Sequence, residues 1–248
     1  IINSRIFRVL PLFLTNFLLR KIVYFSKSNE TNLGNNYKIS KQNLLKLQNT
    51  NFNNETNHKT CSYLSNLIQI LFNNNSFCFL DYGCGNLSLY SELSKKTKVN
   101  YLIHDQKEIT KTISSIIKNQ NLQSIYLYEN NKNEKIDFLY FGASYQYIEN
   151  IEEIITNNEN LLNSKYILIS GIILYKKFEK DKFVVSQHNV QDERKLYFYN
   201  ENYLINFFKS KNYRVIFNEK NNSDKFINFN NFGKLDLKYS DIFFKKND

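Results

Sequence analysis

Two glycines and an aspartate follow an apolar segment and have the spacing of a ligand-binding turn. Residues 79–90 read FLDYGCGNLSLY, so Asp81, Gly83 and Gly85 form the pattern D-x-G-x-G. Glycine tolerates positive φ and lets a ligand approach the backbone. The N–H groups at the start of the following helix would point at the same space. The pattern therefore indicates either a tight strand-to-helix turn or a ligand cradle.

A second aspartate favours the ligand interpretation. Asp105 ends the next apolar segment, roughly 20 residues after the glycines, where a carboxylate can accept hydrogen bonds from both ribose hydroxyls of a nucleoside. Its alternative role is that of a solvated N-cap for the helix that follows. The glycine spacing also begins the dinucleotide fingerprint G-x-G-x-x-G, but Ser88 stands at the third glycine position. That fingerprint is therefore incomplete.

These residues follow apolar segments that alternate with segments of helical periodicity. Such alternation predicts an α/β fold with a doubly wound, mainly parallel sheet and helices on both faces. Ligands of such sheets lie beyond the carboxyl ends of the central strands, which is where the two aspartates stand. The predicted strands are 76–81, 99–105, 123–129, 135–143 and 165–175, and the predicted helices are 61–72, 86–96, 106–119 and 148–162.

The C-terminal part of the chain has a different order. Residues 187–199 are polar and aromatic and are predicted to be a loop or insertion. Residues 200–212 have helical periodicity, with Asn200 as the N-cap. Residues 213–218 and 237–246 are predicted strands without a helix between them, so we expect an antiparallel pair at one edge. The sheet would then have seven strands.

The N-terminal segment is the most apolar stretch. Residues 6–25 are interrupted by basic residues and a proline, so the uninterrupted span is too short to cross a bilayer. Two interpretations stay open: a helix packed on the domain, or an amphipathic helix in peripheral contact with a membrane surface. Residues 26–57 are polar and asparagine-rich, which is typical of a loose connector. We therefore expect an N-terminal region over 1–57 and a folded domain over 58–248.

Composition argues against several other classes of protein. The net charge is +10, but the lysines are spread along the chain, so we interpret the charge as a solvated surface and expect no nucleic-acid partner. The three cysteines match no disulfide framework, which predicts reduced thiols and a cytoplasmic location. His58 and Cys61 lack a second pair of ligands, so no metal site is predicted.

The glycine turn resembles motif I of the class I S-adenosylmethionine (SAM)-dependent methyltransferases. In the same order along the chain, YLIHD at 101–105 resembles the second motif of that fold, and IDFLYFGASYQYIEN at 136–150 resembles its fourth-strand segment. The closing helix and two strands resemble its final reversed hairpin. The resemblance covers most of the chain and implies SAM as the cofactor.

A narrower resemblance concerns a family of bacterial methyltransferases often encoded among surface-polysaccharide genes. That family shares a short apolar-basic N-terminus with this chain. It is also similar to this chain at SYQYIEN (144–150), at the V-x-Q element in FVVSQHN (183–189) and at SDIFFKK (240–246). This resemblance implies a methyltransferase that acts on a sugar or polysaccharide precursor.

The resemblance also implies a role for named residues. Asp81, Gly83 and Gly85 would hold the methionine end of the cofactor, Asp105 would bind its ribose, and Cys84 would present its amide rather than its thiol. The remaining cofactor contacts would be Glu129 or Asn130 at the adenine, and Ser144, Tyr145 and Gln146 beside the methyl donor.

The catalytic assignments depend on the acceptor, which we expect to be a small molecule or glycan. A base is required if the acceptor is a hydroxyl or a protonated amine. His188 is the candidate base, because histidine titrates near neutral pH; its alternative is a surface histidine. Gln187, in the V-x-Q element, is the candidate for acceptor contact.

One departure from the family keeps other functions open. The family often has an Asp-Arg-Thr cluster after the fifth strand, where this chain reads ISGIILYKKF (169–178). The first alternative is therefore a non-catalytic module of the same fold that binds the cofactor. The second is a nicotinamide-dependent oxidoreductase, against which Ser88 argues.

Overall fold

The computed structural model describes most of the chain from residue 59 onward and a few earlier residues. The described residues are 23–27, 47, 49, 59–129, 134–177, 179–188, 193–220, 227–228 and 236–247. They fall into two compact units. The Asp81 unit holds the described residues of 39–144 and 153–168, and the Gln187 unit holds those of 1–38, 145–152 and 169–247.

Strands and helices alternate through much of the described chain. The strands are β1 (Val23–Lys27), β2 (Phe77–Tyr82), β3 (Val99–His104), β4 (Ile125–Leu127), β5 (Phe138–Gly142), β6 (Tyr166–Tyr175), β7 (Lys182–His188), β8 (Glu193–Asn200), β9 (Tyr213–Lys220), β10 (Ile227–Asn228) and β11 (Lys238–Lys246). The helices are α1 (Lys59–Phe72), α2 (Ser88–Lys96), α3 (Lys107–Asn119), α4 (Ile151–Asn157), α5 (Glu159–Leu162) and α6 (Glu201–Ser210), with a 3₁₀ turn over Tyr145–Tyr147.

The Asp81 unit contains the parallel strands β5, β2, β3 and β4, in that order. Asp81 pairs in register with Ile103 of β3 and with Tyr140 of β5, and Ile103 pairs with Leu127 of β4. These residues form one row across parallel strands. The segments that follow the four strands therefore all leave the sheet at the same edge.

Apolar side chains on both faces hold this sheet in place. β2 is buried along almost its whole length, as expected for a central parallel strand. The ring of Phe79 is fully buried and stacks at 5.1 Å from Tyr101 and 5.3 Å from Phe138, measured between ring centroids. α3 buries one stripe of its surface, formed by Ile109, Thr112, Ile113 and Ile116.

The Gln187 unit contains both antiparallel and parallel pairs of strands. β7 pairs antiparallel with β1 and β8, and β8 pairs parallel with the end of β6. β9 and β11 are antiparallel, with an irregularity between Phe243 and Phe244. α6 begins after Asn200, whose side chain accepts the N–H of Tyr203. This bond confirms the predicted N-cap.

The predicted fold class is confirmed. The protein is an α/β protein with a mainly parallel core, and β9 and β11 are the predicted antiparallel pair. The seven predicted strands correspond to β2 to β6, β9 and β11. The predicted helix over 148–162 is interrupted, because α5 has its own N-cap, in which Asn158 accepts the N–H of Leu161.

The loop predicted over 187–199 is wrong at residues 187–188, which end β7, and at residues 193–199, which lie in β8; the two strands pair antiparallel in register. Residues 189–192 lie outside the described residues. The polar residues that precede Leu196 suggested a loop. The residues from Leu196 onward are buried, however, and leucine and aromatic residues favour strands. The buried run is Leu196, Tyr197, Phe198 and Tyr199.

The helix predicted over 6–25 is wrong at its end, because residues 23–25 begin β1. Val23, Tyr24 and Phe25 are good strand formers, and pairing with β7 supplies the hydrogen bonds that a strand requires. Residues 6–22, most of the predicted connector and the predicted boundary at residue 57 lie outside the described residues. Within the described ranges, no helix has the length and apolar character needed to span a membrane.

Candidate functional site

Gly83 occupies a position that excludes every side chain. Its φ is +81°, a left-handed value that L-residues rarely adopt. A Cβ atom placed on Gly83 would lie 2.4 Å from the Cβ of Ser144, far inside van der Waals contact. Ser144 is itself held in place, since its hydroxyl donates to the carbonyl oxygen of Tyr82 at 2.5 Å. Gly83 therefore allows the segment after β5 to close on the segment after β2.

Gly85 differs from Gly83 because it faces open space. Its φ is +60°, but a Cβ atom there would meet no heavy atom within 4 Å. Its N–H donates to Oδ2 of Asp105 at 2.7 Å, which fixes the orientation of the turn. Gly85 therefore leaves the backbone accessible where the sequence predicted a ligand.

Asp105 joins the segment after β3 to the glycine turn. Besides the bond from Gly85, its Oδ1 accepts the N–H of Gln106 at 2.7 Å, and the thiol of Cys84 donates to its carboxylate. Burial raises the pKa of Asp105, and these three hydrogen bonds oppose that rise. The carboxylate thus organises the turn itself, and a carboxylate has lone pairs for further donors.

Asp81 is almost fully buried and lies one strand residue before the turn. Its Oδ2 accepts the hydroxyl of Tyr101 at 2.6 Å. Burial raises the pKa of Asp81 to about 7; the Tyr101 bond acts in the opposite direction, and the charge of Asp105 adds to the rise. The sequence analysis missed Tyr101. Tyr101 lies in β3, two residues before Ile103, which pairs with Asp81. This position in the neighbouring parallel strand was the feature of the sequence that could have identified it.

The thiol of Cys84 has a structural role in the turn. It donates to Asp105, and burial raises its pKa well above the ordinary value, with the charges of Asp81 and Asp105 adding to the rise. The thiol is therefore protonated at neutral pH and is a poor nucleophile. The predicted ligand contact through its backbone amide stays a prediction.

Two further residues stand at the same edge of the sheet. His104 ends β3, and its ring centroid lies 4.3 Å from that of Tyr82. Burial lowers the pKa of His104, which favours the neutral imidazole. Glu129 is exposed and lies two residues after Leu127, the last residue of β4. Leu127 pairs with Ile103 of β3, and Asp105 lies two residues after Ile103. Glu129 and Asp105 therefore occupy equivalent positions after neighbouring strands. Asn130, the alternative adenine contact, lies outside the described residues.

In the Gln187 unit, Tyr145 and Gln146 lie on the 3₁₀ turn and are both buried. The ring of Tyr145 packs at 5.4 Å from Tyr199 and 6.4 Å from Phe208, so this side chain belongs to the core. The Nε2 of Gln146 donates to the carbonyl of Gly171 at 3.2 Å. Its Oε1 is buried and accepts no hydrogen bond from any described residue.

The structure brings Tyr147 to Gln187. The Tyr147 hydroxyl donates to Oε1 of Gln187, which ties the 3₁₀ turn to β7. His188 is the last residue of β7, where its backbone pairs with Tyr24 and Glu193. The role of His188 as a base and that of Gln187 in acceptor contact stay predictions. No group of three or more potential metal ligands occurs among the described side chains.

No known family model matches the sequence, and no curated protein matches it. Solved structures do resemble the fold. Coclaurine N-methyltransferase bound to N-methylheliamine and SAH aligns over 98% of this chain and 86% of its own, with 13% identity and a TM-score of 0.56. The N-terminal domain of EvdMO1, solved in the presence of SAH and D-fucose, aligns over 77% of this chain and 85% of its own, with 8% identity and a TM-score of 0.54.

A third solved structure with the same fold has a different named activity. The [4+2]-cyclase SpnF aligns over 74% of this chain and 80% of its own, with 10% identity and a TM-score of 0.52. At such low identity these likenesses concern the fold and leave the activity open. The chain has the fold of the class I SAM-dependent methyltransferases.

Proposed function

We propose that this protein is a SAM-dependent methyltransferase. The observation that carries the proposal is the turn after β2, in which Gly85 is open to a ligand and is oriented by its bond to Asp105. Both lie at the edge of a parallel sheet where ligands of doubly wound folds bind. Solved structures of this fold that contain SAH support SAM as the cofactor.

The residues of the turn fit such a cofactor. Gly85 has no Cβ to keep a ligand from the backbone. The carboxylate of Asp105 has about four lone-pair sites, of which Gly85, Gln106 and Cys84 use three, so it can accept about one further hydrogen bond, from a ribose hydroxyl. Glu129 follows β4 at the same edge and is our candidate for the adenine. SAM supplies a methyl group on a sulfonium when bound. The contribution of the protein is then to hold donor and acceptor in line.

For the acceptor we propose a small molecule, and specifically a sugar or polysaccharide precursor. The narrower sequence resemblance supports the sugar, as does the D-fucose present with EvdMO1. Transfer to a hydroxyl requires removal of a proton, for which His188 is the candidate base. Gln187, held by Tyr147, is the candidate for acceptor contact.

The second candidate is a protein that binds SAM without transferring a methyl group. Two observations favour it: the chain lacks the Asp-Arg-Thr cluster of the family it resembles, and a cyclase has the same fold. An NAD-dependent oxidoreductase is the third candidate, and thermal stabilisation by NAD rather than by SAM would identify it.

Isothermal titration with SAM and with SAH tests the cofactor. We expect saturable heats with both ligands, and no heat on folded protein would refute the methyltransferase proposal and the SAM-binding alternative together. A transfer assay with radiolabelled SAM against nucleotide sugars and glycan intermediates then separates the first two candidates. Tight binding without transfer to any acceptor would favour the second.

We also propose a cytoplasmic location, with peripheral membrane contact through the part of the predicted segment that precedes β1, residues 6–22. The reduced cysteines and the apolar-basic composition of that segment support this proposal. Flotation with anionic liposomes tests the contact. Binding by the whole chain that is lost on deletion of residues 6–22, which leaves β1 intact, would support it, and absence of binding by the whole chain would refute it.

A further inference from the structure

A cleft in the Gln187 unit lies outside the residues assigned so far. It has a volume of about 460 Å³ and is formed by the segment after β6 and by one face of α6. This volume falls within the range of small-molecule sites, about 300 to 1,000 Å³. Such sites are usually lined by apolar side chains, whereas all the described residues that line this cleft are charged, asparagine or tyrosine. The polar groups of these side chains can form hydrogen bonds with a ligand.

The face that α6 contributes offers paired carboxamides beside an aromatic ring. Asn202 and Asn206 are exposed and stand four residues apart, so they lie on the same side of the helix. The half-buried ring of Tyr203 stands between them in sequence and also lines the cleft. A carboxamide both donates and accepts hydrogen bonds. That capacity matches hydroxyl groups, which do the same.

The charges in the cleft disfavour an anionic ligand. Two carboxylates, of Glu179 and Asp181, line it together with Lys176 and Lys177. The ammonium of Lys176 already lies 3.7 Å from a carboxylate oxygen of Glu201. The two lysines and the two carboxylates of the lining balance one another, so the cleft has no net positive charge to attract a diphosphate. Carboxylates are instead good acceptors for neutral hydroxyl donors.

The walls of the cleft are held in place before any ligand binds. The carbonyl of Asp181 accepts the N–H of Asn200 at 2.8 Å. The hydroxyl of Tyr175 donates to the carbonyl of Lys180, which ties the end of β6 to the residue before Asp181. On the opposite wall, Asn200 caps α6 by accepting the N–H of Tyr203. Walls that are already ordered reduce the entropy lost on binding.

We propose that this cleft binds a neutral saccharide, with the carboxamides of Asn202 and Asn206 and the carboxylates of Glu179 and Asp181 engaging its hydroxyl groups. The proposal names a site for the substrate class given under Proposed function, and its connection to methyl transfer rests on that function. Saccharide binding itself does not require SAM.

Saturation-transfer NMR titrations of the whole chain test the site. The probes are the methyl glycosides of glucose, galactose, N-acetylglucosamine and rhamnose. We expect saturable binding of at least one, weakened about tenfold in the Asn202→Ala/Asn206→Ala double variant because several ordinary hydrogen bonds are lost. Alanine favours helix more than asparagine does, so the double variant keeps α6 folded. The matched control is Asn66→Ala, at an exposed helical position of α1.

Three results would overturn the proposal. The first is that no probe binds the folded chain. The second is binding that the double variant leaves unchanged, which would place the ligand elsewhere. The third is a UDP-sugar that binds far more tightly than its methyl glycoside and loses this gain in Lys177→Ala, which would make the ligand anionic. Failure of SAM to bind would refute the proposed function while leaving saccharide binding to be observed independently.

Discussion

The carboxylate of Asp105 and the backbone N–H of Gly85 are joined by a 2.7 Å hydrogen bond. This bond connects the segments that follow two neighbouring parallel strands and sets the turn at the edge of the sheet. A residue expected to bind a cofactor thus also holds the glycine turn in the orientation that the cofactor would meet. Substitutions can separate these two roles.

We expect Asp105→Asn to weaken SAM binding about 10- to 100-fold, because a hydrogen bond to a charged group contributes about 1.5 to 3 kcal/mol. Burial raises the pKa of Asp105, which limits the cost of removing the charge. Asparagine has a single carboxamide oxygen, however, and cannot accept the N–H groups of both Gly85 and Gln106, so we also expect the loss of about 1 kcal/mol or more of folding free energy. The measurement is isothermal titration, with thermal unfolding as a check on the fold.

The matched control for that variant is Asp137→Asn. Asp137 also accepts a backbone N–H, that of Cys78 at 2.9 Å, but it lies before β5, at the opposite end of that strand from the turn. We expect it to leave SAM affinity unchanged. Equal loss of affinity in both variants would contradict a specific role for Asp105.

The two glycines of the turn should differ in what their substitution costs. We expect Gly83→Ala to lower the free energy of unfolding by about 2 to 4 kcal/mol, since it combines left-handed strain with a clash against Ser144. Gly85→Ala has the strain alone, about 1 to 2 kcal/mol, but places a methyl group where the ligand would approach. Urea unfolding and SAM titration measure the two effects.

The clash itself can be tested by a second substitution. Ser144→Gly removes the atom that a Cβ at Gly83 would meet. It should recover part of the stability lost in Gly83→Ala and none of the stability lost in Gly85→Ala. If the two glycine variants respond alike to Ser144→Gly, close packing of Gly83 against Ser144 does not determine the stability of the turn.

Asp81 should make stability depend on pH. Its pKa is raised in the folded protein from 3.8 to about 7, so the folded state binds more protons than the unfolded state between these values. The stabilising contribution is therefore complete below about pH 4 and is lost as pH rises through about 7. At most it amounts to about 4 kcal/mol.

The isosteric variant Asp81→Asn isolates this effect, because asparagine can still accept the hydroxyl of Tyr101. We expect it to be more stable than the natural chain at pH 8 and to lose that advantage at pH 5. Urea unfolding of both chains at the two pH values provides the comparison. A natural chain that gains stability relative to the variant as pH rises would reverse the predicted sign.

The contact between Tyr147 and Gln187 can be measured by a double-mutant cycle. Tyr147→Phe, Gln187→Leu and the double variant should show a coupling of about 1 kcal/mol in unfolding free energy. If Gln187 also contacts the acceptor, Gln187→Leu should lower kcat/KM for methyl transfer more than Tyr147→Phe does. Equal effects on kcat/KM would indicate that Gln187 acts only through its bond with Tyr147.

Local patterns were enough to predict the parallel strands of the Asp81 unit and most of its helices. Apolar runs typical of strands alternate there with apolar helical stripes such as that of Ile109, Ile113 and Ile116. In each element the apolar residues recur with the spacing expected for that type of secondary structure. The D-x-G-x-G turn could be predicted for the same reason, since its glycines are required by the backbone conformation of the turn itself. The prediction of Asn200 as an N-cap was correct because an N-cap depends on a hydrogen bond within a short stretch of sequence, here from the N–H of Tyr203, three residues further along the chain.

Predictions failed where strand pairing overrides local preference. Residues 187–199 contain charges typical of a loop, but β7 and β8 pair with each other, and β1 adds a further antiparallel partner. Val23–Lys27 likewise joined β7 instead of continuing a helix. The partner of β1 is β7, which is far away in sequence, and strand formation depends on such partners. No window local to Val23–Lys27 therefore contains the deciding information.

The amino-acid sequence by itself determined the parallel α/β class, the glycine turn and the placing of two aspartates at strand ends, because these follow from period and spacing. Only the tertiary structure decided what each aspartate contacts. Asp81 bonds with Tyr101 in the core, whereas Asp105 bonds with Gly85 at the open turn. Strand register determines which side chains meet across a sheet, and that register results from the packing of the whole unit.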